Sequence, residues 1–105
     1  MFDAIAAIMA RRGALRALRD EVESLAEERR ALQTLITIGA LAFTPNQNAD
    51  EWDRWAAERN AVKARRAALA EEIRERTVQM RALQTQIRRD EHALTNTYLK
   101  GPRKP

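Results

Sequence analysis

Chemistry needs side chains that can work together, and this chain offers few. Its single histidine, His92, and its single serine, Ser24, lie in different halves of the sequence. A nucleophile with no base oriented beside it does not react, so this pair predicts no group-transfer centre. The carboxylates Glu27-Glu28 and Glu71-Glu72 are chain neighbours. On a helix such neighbours point about 100° apart and form no acid–base couple. Glu71 and Glu75, one turn apart, could share a divalent ion with Glu23 or Glu27; the plainer expectation is a solvated acidic face. One histidine and no cysteine leave little for a zinc site. No glycine-rich loop is present to cradle a phosphate. The expectation is a protein that is not an enzyme, with no catalytic residues, no cofactor and no metal.

What remains is charge. The 105 residues carry a net charge of +4, and 32% of them are charged. Sixteen of the nineteen basic residues are arginine, whose fork matches phosphate and carboxylate alike. Arg11, Arg12, Arg16 and Arg19 form one basic band, and Arg81, Arg88 and Arg89 belong to another. These seven are the candidate nucleic-acid contacts. Lys100, Arg103 and Lys104 make a short basic tail, a candidate partner-binding segment.

The third feature is the absence of charge. Residues 31–49, nineteen in a row, carry none, and Leu35 to Phe43 are almost wholly apolar. Trp52 and Trp55 follow closely. A run that is apolar on all sides cannot be covered by one neighbouring helix. Ile36, Ile38, Leu41, Phe43, Trp52 and Trp55 are therefore the candidate oligomer or partner interface, since tryptophan anchors many such contacts. The competing reading is that the indoles merely plug the end of the fold. The run is too short for a bilayer, which needs roughly 20 apolar residues. With no secretory pattern at the start, the expectation is a soluble, cytoplasmic protein with no membrane partner.

These residues must be placed by helices. Proline is absent before Pro45 and again until Pro102, and glycine occurs only at 13, 39 and 101. The sequence therefore predicts an all-α fold. Helix 1 spans about 3–43, a turn 44–49, helix 2 about 50–100, and residues 101–105 form a flexible basic tail. Ile8, Leu15, Leu18, Val22, Leu25, Leu32 and Ile36 keep a spacing of three and four. So do Trp55, Val62, Leu69, Ile73, Met80, Leu83, Ile87 and Leu94. These are heptad seams, and the short turn makes the pair a long antiparallel two-helix coiled-coil hairpin. Arg59, Arg66, Arg76 and Asp90 interrupt the second seam. Thr44 with Gln47, or Asp50 with Asp53, is expected to cap helix 2. Gly13 leaves open a short separate N-terminal helix, and a β reading of 35–43 competes because Ile and Thr favour strands. Much of the 45% hydrophobic content is alanine, which buries little, so the core is thin and association into an oligomer is expected.

Folding the hairpin so that Phe43 meets Trp52 sets like bands side by side. Arg29 and Arg30 come level with Arg65 and Arg66, residues 20–28 with Glu71, Glu72 and Glu75, and Arg16 and Arg19 with Arg76 and Arg81. Such a pattern asks for a second chain or an anionic ligand to supply opposite charge.

The paired heptads Leu15–Ile36 and Val62–Leu94, with the Thr44-Pro45 turn, resemble in architecture the oligomerisation core of small terminase subunits. Those are the DNA-packaging adaptors of tailed phages and gene transfer agents. The resemblance implies a homo-oligomeric ring, contact with DNA, and recruitment of a large packaging ATPase through a terminal segment, here Lys100, Arg103 and Lys104. Many members carry a helix-turn-helix domain ahead of the hairpin; this sequence has no counterpart to it, so sequence-specific recognition is not expected. The alternative is a coiled-coil protein-interaction module, an adaptor, chaperone or small phage-type inhibitor, with no nucleic-acid binding.

Overall fold

The computed structural model describes residues 2–42 and 48–99, and the side chains of 2–39 and 48–97. Among them there is no strand: α1 spans Phe2–Ala42, α2 spans Ala49–Leu94, and a π-helical turn follows at Thr95–Leu99. The two helices form a helical hairpin. α1 runs unbroken through Gly13, so there is no separate N-terminal helix. A Cβ at Gly13 would meet nothing within 4 Å. That glycine therefore weakens the helix without serving a close contact.

The β reading of 35–43 is overturned for residues 35–42, which are helical. Thr34 Oγ1 donates to the Arg30 carbonyl at 3.1 Å and Thr37 Oγ1 to the Gln33 carbonyl at 3.0 Å. Both hydroxyls are thus satisfied inside the helix, which removes part of threonine's preference for extended chain. The start of α2 also differs from both sequence-based choices. Asn48 caps it: its Oδ1 accepts the Glu51 N–H at 2.9 Å, and its carbonyl accepts the Trp52 N–H at 3.0 Å. Asp50 and Glu51 then sit in the first turn, where the helix dipole favours negative charge. Thr44 and Gln47 lie outside the described residues. Helix 2 does not continue as regular α-helix to residue 100; it widens into the π turn after Leu94.

Contacts gather into two compact units. The terminal unit joins residues 1–22 with 76–105; the central unit is residues 23–75. In the terminal unit Ile8, Leu15 and Ile87 are buried, with Met80, Leu83 and Leu94 packed against them. In the central unit Leu69 is fully buried. Each of these is a seam position, spaced by three and four residues, as a helix facing one neighbour requires. The rest of the seam is half-buried, including Leu18, Val22, Leu25, Leu32, Val62 and Ile73.

Two substitutions test this core. Leu69→Ala should lower unfolding free energy by about 2–5 kcal/mol, because it empties a filled site. Gly13→Ala should raise it by about 1 kcal/mol, the helix-propensity difference with no clash to offset it. Urea denaturation followed by helical circular dichroism, at one fixed protein concentration, measures both.

Candidate functional site

Most of the second seam's polar interruptions meet a polar or aromatic partner; the Arg59 Nε is buried with no hydrogen-bond partner among the described residues. Asp90 accepts from the Arg11 guanidinium and, at 2.9 Å, from Gln86 Nε2. Arg76 Nε donates to Glu21 Oε1 at 2.7 Å. The Arg66 guanidinium donates to Gln33 Oε1. Arg59 lies over the Trp55 ring, its Cζ 5.4 Å from the centroid, close enough for a cation–π attraction. Beside the seam, Arg12 pairs with Glu91, and Arg65 forks onto Glu28 at 3.2 and 3.4 Å. Arg65 also approaches Glu72 at 3.9 Å.

These contacts correct the like-beside-like pattern. Arg65 meets Glu28 rather than Arg29 or Arg30, and Arg76 meets Glu21 rather than Arg16 or Arg19. Each of these partners lies two residues from the level position, about half a turn, within reach of a long guanidinium, so bands that are level by backbone number interleave by side chain. The hairpin neutralises much of its own charge.

Neutralisation is incomplete in the terminal unit. Arg12, Arg16 and Arg19 on α1 and Arg88 on α2 surround one shallow concavity floored by Leu15 and Ile87. Arg81 lies two turns before Arg88 on the same stripe of α2 and is exposed. Arg16, Arg19, Arg81 and Arg88 make no ion pair among the described residues. Glu91, the one carboxylate at the concavity, is engaged by Arg12. Of the seven arginines expected to touch nucleic acid, the fold brings four together and aligns a fifth. Arg11 is turned to the other side, against Asp90, Ala4 and Ala7, and Arg89 is exposed away from the concavity.

No known family model, characterised protein or solved structure matches this chain. The functional reading therefore rests on the sequence and the geometry.

The central unit holds the aromatic site. Trp52 and Trp55 pack with ring centroids 5.3 Å apart and planes tilted by 39°. Trp55 is half-buried in a cleft with Leu35, Ile36, Gly39, Arg59 and Val62. A Cβ at Gly39 would come 3.9 Å from the Trp55 indole nitrogen, an ordinary contact. Trp52 is 49% exposed, and Leu35 and Ile38 are each 56% exposed. The two readings of the indoles thus divide between them: Trp55 plugs the helix pair and Trp52 presents to solvent. The Leu41 side chain, Phe43, Lys100, Arg103 and Lys104 lie outside the described residues.

A further exposed apolar stripe was not among the sequence-based sites. Phe2, Ile5 and Met9 all face solvent, Phe2 at 82% and Met9 at 66%. Their spacing of three and four continues into Arg12, Arg16 and Arg19, so the stripe runs from apolar to cationic along one helix face. That signal was present in the sequence but was hidden by the stronger seam beside it. Among the described residues no group of three His, Asp or Glu could hold a metal ion, and no helix is long and apolar enough to cross a membrane.

The interleaved pairing has a measurable consequence. A double-mutant cycle on Glu21→Ala and Arg76→Ala should give a favourable coupling of about 0.5 kcal/mol that shrinks as salt rises. A repulsive coupling would contradict this pairing.

Proposed function

We propose that this chain is a non-enzymatic, self-associating adaptor, an antiparallel coiled-coil hairpin that lays its terminal-unit arginines along nucleic acid. The observation that carries this reading is the concavity of Arg12, Arg16, Arg19 and Arg88, of which only Arg12 is engaged by a carboxylate. An arginine held near three others and left without a counter-charge is poised for phosphate. The concavity is shallow and is built from helix sides, with no element inserted into a groove, so binding follows the backbone and not the base sequence. The charge distribution also supports it. Residues 1–22 and 76–105 carry eleven basic against five acidic residues, net +6. Residues 23–75 carry eight against ten, net −2.

A role in DNA packaging, with a ring of copies and a large ATPase partner, is the specific form that the resemblance to small terminase subunits suggests. The second reading, a protein-interaction module, draws on the exposed Leu35, Ile38 and Trp52. In it the same arginines clasp an acidic protein.

Binding to duplex DNA separates the two. The affinity should fall steeply with salt and be indifferent to base sequence. The variant Arg16→Ala/Arg19→Ala/Arg88→Ala should reduce the slope of log K against log salt by about 3, one for each lost phosphate contact. DNA binding that is absent at low salt rejects the adaptor reading in favour of the protein-interaction one.

A further inference from the structure

Two separate surfaces of this molecule combine exposed apolar side chains with unbalanced charge. In the terminal unit, Phe2, Ile5 and Met9 lead into Arg12, Arg16 and Arg19 along one stripe. In the central unit Leu35, Ile38 and Trp52 are exposed, and the start of α2 that carries Trp52 holds the exposed acids Asp50, Glu51, Asp53 and Glu58 against two bases, Arg54 and Arg59. Phe2 is 82% exposed and Met9 66%, and in the second group Leu35 and Ile38 are each 56% exposed. We propose that copies of this chain join head to tail, the Phe2-Ile5-Met9 stripe of one seating against Leu35, Ile38 and Trp52 of the next.

Charge selects the occupant. A terminal unit against a terminal unit opposes +6 with +6, and a central unit against a central unit opposes −2 with −2. Only the unlike pairing brings attraction to both apolar groups. The arginines that continue the first stripe then meet the acids that flank the second, which steers approach and fixes its direction. Such a contact uses different surfaces on its two sides. It is either repeated from copy to copy in a ring or open filament, or made twice in an antiparallel two-fold pair. The inference deepens the self-associating half of the adaptor reading. It is measured without nucleic acid, so it can fail while DNA binding stands, and the reverse.

The experiment uses two variants of the full chain at exposed positions. Phe2→Asp/Met9→Asp spoils the first surface and leaves the second; Leu35→Asp/Ile38→Asp does the opposite. Circular dichroism checks that each keeps wild-type helicity. By light scattering, the wild type should exceed monomer mass, and each variant alone should be a monomer. An equimolar mixture should give a one-to-one heterodimer, because one good copy of each surface is then available. Raising salt should weaken the wild-type assembly. A monomeric wild type, association of either variant alone, or a mixture that stays monomeric overturns the proposal. If a variant loses helicity, iodide quenching of the wild type decides. Tryptophan quenching that falls as protein concentration rises supports the contact, and quenching independent of concentration overturns it.

Discussion

Two helices alone cannot hide much surface, and that limit shapes everything else in this molecule. Each helix has one neighbour, so only the narrow seam can be buried. Within it Leu69 is fully enclosed, while Ile8, Leu15 and Ile87 are nearly so. Much of the seam stays half-wet. A side chain in that setting gains only part of its transfer free energy, roughly half of the 1.5–3 kcal/mol that full burial contributes. Cohesion must be shared with polar contacts across the pair.

The pattern of those contacts follows. Arg11 with Asp90, Arg66 with Gln33, Arg76 with Glu21 and Arg59 over Trp55 all place a polar group where a coiled coil expects an apolar one. Each such pair adds little stability, yet a shifted alignment can leave one without its partner. A slip by one heptad would set Asp90 level with Ala4 or Leu18 in place of Arg11 and strand the carboxylate. Polar seam positions therefore act as register marks, a use well attested in coiled coils. The arginines beyond the seam carry no such duty. Arg16, Arg19 and Arg88 make no ion pair among the described residues.

How far the fold was legible in the sequence depended on periodicity. The seams from Ile8 to Ile36 and from Trp55 to Leu94 repeat often enough to fix helix type, because a period of three and four has no other common cause. The ends were less readable. Asn48 caps α2 through its own side chain and carbonyl, but Thr44, Asp50 and Asn48 are all competent caps and only geometry chooses among them. The pairing of charges was not legible either. Backbone level predicts which residues are neighbours, whereas arginine reaches about half a turn beyond its own level, so Glu28 and Glu21 stand where arginines are expected. The stripe Phe2-Ile5-Met9 needed solvent exposure to be seen, since nothing in its spacing separates an outward face from an inward one.

The back-bonded threonines of α1 bear on how water meets the central unit. Thr34 and Thr37 spend their hydroxyls on the Arg30 and Gln33 carbonyls, and they alternate with the exposed Leu35 and Ile38. With their donor protons spent inside the helix, these hydroxyls offer water only acceptor lone pairs. By residue name the stretch reads as mixed polarity; by the atoms it offers, it is less polar than that. Replacing both threonines with valine would keep its shape and remove only those acceptors, whereas serine at the same places would strip the methyls.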